Sequence, residues 1–359
     1  MKKYKITKII LITFLSVIIT IGIAGFLIVH TYINKMNIVK DITAYEVTER
    51  ENNFIDEVEQ MIIDRATDIT DSPQTAINEI DEKIQGNTEG NKQKASNSDV
   101  YNILLIGCDS RESGGSGRSD AMIIVSINSK TKKIILTSFL RDIYLKIPNH
   151  KNNRLNAAYA LGGANLLIDT IEENFKINID KYISMDFYTF IDVVDAIDGV
   201  NLEVKEEFIP IINFYIKEIN QHKKVNESDD LLTQSGNYVL NGKQTLGYVR
   251  NRYVGTDFER TARQRLVLQT IFNKIKELNY LQILNLSDNI LPQVTTNLSE
   301  KKIISLIISL PTYKNYEIDQ WSIPIQNTFS FLTINRMSVI GIDFEKNINE
   351  LHKKIYGEP

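Results

Sequence analysis

Two runs between residues 100 and 142 constrain this chain more than anything else in it. Residues 102–107 and 121–127 are apolar runs rich in Ile, Leu and Val and bounded by turn residues, the pattern of strands covered on both faces. The loop between them suits no core. Residues 113–117 read SGGSG, a backbone free to bring its amides up to an anion, and Asp109, Arg111, Arg118 and Asp120 stand at its two ends. Central strands with an ion-binding loop at their ends are therefore expected, and the functional site is expected there.

The elements that follow alternate. Residues 154–175 carry apolar positions at helical spacing around Gly162 and Gly163, which predicts a helix, a glycine break and a second helix. Residues 181–185 suit a strand, 187–197 a helix stopped at Gly199, and 200–204 another strand. Residues 206–234 are polar and irregular, consistent with an insertion or a lid. Residues 245–252, TLGYVRNR, return to strand character, and 258–278 form a long helix. Strand candidates at 316–323 and 337–342 and a closing helix at 344–355 complete the chain. Strands interleaved with helices predict an α/β fold: a mixed central sheet flanked by helices on both faces.

Ahead of this domain the sequence changes character. Residues 1–8 include Lys2, Lys3, Lys5 and Lys8, and residues 9–29 follow without a charge. About 20 apolar residues are what a bilayer core requires, and the preceding lysines orient the rest of the chain outward. A retained transmembrane helix is expected rather than a cleaved signal peptide, because the apolar run is long and no small-residue cleavage pattern follows. Residues 30–99 read as an extracellular stalk ending in a flexible linker: 85–99 hold no apolar residue but Ala95. The folded domain is then expected over 100–359.

Arginines supply the chemistry. On a strand over 245–252, Arg250 and Arg252 would share one face, and adjacent guanidiniums in a buried sheet need an anion between them. The alternative is a solvated sheet face. On the next helix Arg260, Arg263 and Gln264 fall at i, i+3 and i+4, in line with the core-facing Val267, Ile271 and Ile275. Cations in a first helical turn oppose the macrodipole unless an anion lies at that end, with Asp257 as partial compensation. Forked hydrogen bonds from such arginines fit a diphosphate. Asp109 and Asp120 are candidate ligands for Mg2+, which takes one or two carboxylates plus phosphate oxygens and water; the alternative is a turn cap at Asp109 and a pair between Asp120 and Arg118. Arg141 and Asp142 repeat the motif after the next strand, either as site residues or as a structural pair.

Composition excludes other classes. Lys plus Arg number 41 against 45 Asp plus Glu, a formal net charge of -4, so nothing pulls the chain onto nucleic acid. The single cysteine, Cys108, forms no internal disulfide, and with four His a zinc site is not expected.

The runs GCDSR, GRSDAMIIVSINSKTKKIILTSFLRDIYLKIP, RLNAAYALGG, LNGKQTLGYVRNR and DFERTARQ, in this order and spacing, resemble the LytR-CpsA-Psr family from about residue 100 onward. The resemblance implies a cell-wall phosphotransferase that moves an undecaprenyl-pyrophosphate-linked glycopolymer, of teichoic acid or capsule type, onto peptidoglycan and releases undecaprenyl phosphate. It implies Asp109 and Asp120 as ligands of Mg2+, with Mn2+ as the alternative, and Arg141, Asp109 and Asp120 as the catalytic set. Pyrophosphate binding falls to Arg118, Arg141, Arg250, Arg252, Arg260, Arg263 and Gln264. An apolar pocket for the polyprenyl tail, a peptidoglycan acceptor, the cytoplasmic membrane and no nucleic acid complete its implied partners. Departures from the family pattern are Cys108 where Thr or Val is common, Leu140 where proline is usual, Arg154 where lysine is common and Arg265 where a second glutamine is common. A polyprenyl-pyrophosphate hydrolase and a membrane-bound regulator of transcription are the rival functions.

Overall fold

The computed structural model describes residues 37–38, 70–89, 94–109, 118–279, 282–283, 286 and 290–357. The expected basic tail, the 9–29 span, most of the stalk, Arg111 and the 113–117 loop lie outside the described residues. Among the described residues no helix is long and apolar enough to cross a membrane.

In chain order the elements are β1 (Asn37–Ile38), α1 (Gln74–Glu89), β2 (Val100–Cys108), β3 (Ser119–Asn128), β4 (Lys133–Phe139), β5 (Tyr144–Leu145), β6 (Asn153–Arg154) and α2 (Leu155–Phe175). There follow β7 (Lys181–Met185), α3 (Phe187–Ala196), β8 (Val200–Val204), α4 (Ile209–Lys223), β9 (Gly236–Leu240), α5 (Gly242–Arg250) and α6 (Asp257–Glu277). The chain closes with β10 (Thr295–Thr296), α7 (Glu300–Tyr313), β11 (Glu317–Ile323), β12 (Phe329–Ile334), β13 (Met337–Ile342) and α8 (Phe344–Tyr356).

A seven-stranded sheet in the order β1-β10-β7-β2-β3-β4-β11 forms the centre. It is mixed: β2 pairs antiparallel with β3 and parallel with β7, while β11 runs parallel to β4. Alternation along β2 and β3 sends Leu104, Ile106, Met122 and Ile124 into a core shared with α1, α2 and α8. Leu105, Ile123 and Val125 face the other way, toward α6 and the end of α7. The expected mixed sheet covered on both faces is therefore present. A further apolar cluster joins α3, α4, α5, α6 and the β8–β9 hairpin beside the sheet.

Three expectations change. Residues 245–250 are the body of α5, not a strand. Asn241 caps that helix by accepting from the Gln244 backbone N–H (3.0 Å), and the Gln244 carboxamide accepts from the Asn241 N–H (3.0 Å). Gly247 lets α5 lie against α4, since a Cβ there would meet the Ile212 backbone at 3.0 Å. The insertion expected at 206–234 is mostly α4, the neighbour that buries α5. Residues 74–97, expected as stalk and linker, also belong to the folded body: Ile80 and Ile84 are buried in the main core. Asn152 donates to Asp81 (3.0 Å), Lys94 pairs with Glu172 (2.6 Å) and Ala95 bridges to Ile177. The fold thus begins well before residue 100. The glycine break is where it was expected, with Gly163 at φ 65 inside α2.

Candidate active site

The site lies at the ends of β2 to β4, and the α5–α6 connection leans over it. The register slips between Gly107 and Cys108, and the Asp109 amide donates to the Arg118 carbonyl (3.1 Å). This bulge turns Asp109 and Asp120 toward one polar cavity of ≈ 380 Å³, lined also by Arg118, Arg141, Arg154, Asn156 and Arg252. Four guanidiniums thus face two carboxylates across it.

Asp120 is the hub. One of its oxygens accepts from Arg141 (2.8 Å) and the other from Arg252. Burial pushes its carboxyl up, but Arg252 and then Arg141 outweigh that and hold it below the ordinary carboxylate value. Arg141 also faces Asp142 (3.5 Å) and Asp257 (3.9 Å), and Arg154 faces Asp142 (3.4 Å). Burial lowers the pKa of Arg141, yet Asp142 and Asp120 more than restore it. Arg118 is depressed by burial and by Arg154 and Arg141; Arg260, almost wholly buried, by burial and Arg141. The alternative pairing of Asp120 with Arg118 is therefore replaced by one with Arg141 and Arg252.

Several of these groups remain unsatisfied. Nε of Arg141, Arg154 and Arg260, the Asn156 Oδ1 and the Gln264 Oε1 are buried without a hydrogen-bond partner. Each orphaned buried polar atom costs on the order of 1–3 kcal/mol. A cluster of them around a cationic cavity is a site assembled in advance of an anionic ligand.

Arg250 and Arg252 reach this place from the C-terminal end of α5, not from one strand face. The Arg250 guanidinium is sandwiched between the rings of Phe187 (4.2 Å) and Tyr215 (4.3 Å) and faces Glu218 (3.6 Å). Phe187, Tyr215 and Glu218 carried no local signal in the sequence, because α3 and α4 meet α5 only in the fold. Arg263, expected at the head group, is elsewhere. It donates to the backbone carbonyls of Asn251 (2.6 Å) and Val254 (3.4 Å) and lies over Phe208, so it fixes the turn that carries Arg252. The helix α6 is capped by Thr256 and Glu259, while Asp257 accepts from Arg260 (3.0 Å).

A second cavity, ≈ 340 Å³ and almost wholly apolar, opens onto the first. It runs between the sheet, α3 and α6, with Leu105, Ile183, Phe190, Leu268, Ile271 and Ile275 in its wall. Asp120 and Arg252 line both cavities, and Arg250, Arg260 and Gln264 close the polar end of the apolar one. Cationic chamber and apolar slot together match an amphiphile with a diphosphate head and a hydrocarbon tail.

The donor set fits a hard divalent cation. Each oxygen of Asp120 accepts one guanidinium and keeps a lone pair, and Asp109 faces the same chamber. Among the described residues no group of three or more His, Cys, Asp or Glu is assembled. Phosphate oxygens and water would therefore supply the other ligands, as Mg2+ commonly requires.

The LytR_cpsA_psr family matches residues 67–353. The chain is 34% identical over 224 residues to the polyisoprenyl-teichoic acid–peptidoglycan teichoic acid transferase TagT of Bacillus subtilis (strain 168), covering 61% of this chain and 66% of that protein, just under two thirds of its length. It is 30% identical over 258 residues to the regulatory protein MsrR of Staphylococcus aureus (strain COL), covering 71% of this chain and 73% of the relative. Among solved structures, TagT bound to LIIa-WTA superposes with a TM-score of 0.58 at 27% identity, over 74% of this chain and 93% of that one. A LytR-CPS2A-psr family protein, YwtF (TagT), with bound octaprenyl pyrophosphate lipid superposes with a TM-score of 0.54 at 26% identity, over 74% and 94%.

Proposed function

The chain belongs to the LytR-CpsA-Psr family, and from that premise we propose that it is a membrane-anchored phosphotransferase acting outside the cell. Its donor is a glycopolymer on polyprenyl pyrophosphate, its acceptor peptidoglycan. The observation that carries this reading is the junction of an apolar slot with a chamber of arginines at Asp120 and Arg252. Relatives named for teichoic acid transfer and for bound octaprenyl pyrophosphate lipid support it.

The chain's own residues act by holding charge in place. Arg118, Arg141, Arg252 and Arg260 grip a diphosphate whose two negative charges suit the surplus of guanidiniums over carboxylates in the chamber. Arg250, pinned by its two rings, fixes the angle at which the tail enters the slot. A sugar hydroxyl attacks the glycan-side phosphorus, the bond from that phosphorus to the bridging oxygen breaks, and polyprenyl phosphate leaves, its freed oxygen taking up the hydroxyl proton directly or through water. Such a transition state is loose, so positioning and charge stabilisation do most of the work. Mg2+ held by Asp109 and Asp120 would supply further neutralisation of the phosphate oxygens.

The full chain, supplied with a polyprenyl-diphosphate glycan and peptidoglycan, should yield glycan phosphate on peptidoglycan and polyprenyl monophosphate in equal amounts. Free glycan phosphate with unmodified peptidoglycan would instead identify a hydrolase. No turnover, with binding retained, would favour the regulatory role in the MsrR name.

A further inference from the structure

Helix α7 is apolar along most of its length but covered by little. In Glu300–Tyr313 only Ile303 is buried. Ile308 is 72% exposed, Ile304, Leu306, Ile307 and Leu310 are partly so, and the exposed Lys301 and Lys314 bracket the stripe. We propose that this face of α7 lies on the bilayer surface, among lipid acyl chains and anionic head groups, and forms the lip over which a polyprenyl tail passes from membrane to slot.

Three observations select a bilayer over other occupants. First, α7 adjoins the slot: Ile183 lies both in the slot wall and in the cluster with Ile303, Ile304 and Ile307. Second, the tether is short. Asn37 and Ile38 pair with Thr295 and Thr296, three residues before the α7 cap Ser299. Asn37 is eight residues beyond the end of the uncharged stretch at Val29, a reach of at most about 29 Å. A compact domain of this size is about 50 Å across, so the tether confines the β1–β10 edge to the membrane-proximal part of the domain. Third, exposed lysines flank the apolar stripe, Lys301 in the first turn of α7 and Lys314 just past its end, while Lys302 packs over the Tyr101 ring (3.5 Å) and Glu300 meets the helix dipole. Anionic head groups would pair with the two exposed lysines while the stripe enters the interface. The inference rests on residues 9–29 spanning the bilayer.

The test places an environment-sensitive fluorophore on cysteines introduced as Ile308→Cys, Lys353→Cys or Val17→Cys in the full chain, with Cys108 replaced by Ala. Lys353 is exposed on α8, over the other face of the sheet, and Val17 lies in the proposed span. In nanodiscs containing anionic lipid, nitroxides on the acyl chains should quench the labels at 17 and 308 and leave the label at 353 unaffected. Quenching at 17 but not at 308 would overturn the docking of α7 and leave the anchor standing. No quenching at 17 would overturn the anchor and the docking with it. A label at 308 shielded from water yet unquenched by lipid would assign the face to a second copy of the chain and contradict the proposal.

Discussion

Asp120 sits between two arginines drawn from different parts of the chain, and its carboxyl is held below the ordinary value of 3.8. The folded state therefore binds fewer protons than the unfolded state between its depressed pKa and that value. The resulting stability is fully present above that range and is lost as pH falls through the folded pKa. Asp120→Asn should destabilise the protein by about 1–3 kcal/mol at pH 7, and urea titrations should show the difference shrinking below about pH 4. Arg265 poses the opposite case. It is buried with Nε and Nη1 unpartnered, and burial alone lowers its pKa to about 10. A charge buried without compensation is a net cost, so Arg265→Met should stabilise the fold by about 1–3 kcal/mol in the same titration. Loss of stability would mean that the guanidinium is satisfied in solution. Arg252→Ala should weaken binding of a polyprenyl diphosphate by about 1.5–3 kcal/mol by calorimetry; an effect near zero would remove Arg252 from the head-group site. The residue types of this site were legible from the acids and arginines clustered at strand ends. What could not be read was that Arg263, one turn from Arg260 on the same stripe, spends its donors on the carbonyls of residues 251 and 254.

At the scale of elements, the buried strands were read directly, because β2 and β3 carry apolar residues on both faces. The segment 245–250 carries strand character in isolation because Gly247, Tyr248 and Val249 lower helix propensity locally. The deciding signal was the capping box at Asn241 and Gln244, one turn upstream. A similar lesson holds for α1. Its apolar residues are few, and composition suggested linker, yet Ile80 and Ile84 suffice to dock it; Gly341 leaves room for Ile80, since a Cβ there would meet it at 2.4 Å. Fully burying an isoleucine contributes about 1.5–3 kcal/mol. A chain beginning at residue 96 should accordingly be less stable than one beginning at residue 70 by several kcal/mol, compared by urea denaturation. Equal midpoints would return α1 to the stalk.

For the whole molecule, periodicity sufficed for a mixed sheet between helices, whereas the cavities depend on how α3, α4, α5 and α6 close against that sheet, which no local pattern encodes. The central claim is that one amphiphile fills both cavities, its head in the arginine chamber and its tail in the slot. The direct test is calorimetric binding of a long-chain polyprenyl diphosphate and of inorganic diphosphate to the wild type and to Ile275→Trp, which fills the apolar end of the slot. With unchanged melting behaviour, the variant should lose at least tenfold in affinity for the lipid, about 1.4 kcal/mol or the burial of some two methylenes, and keep its affinity for inorganic diphosphate. Equal affinity of variant and wild type for the lipid would contradict the account.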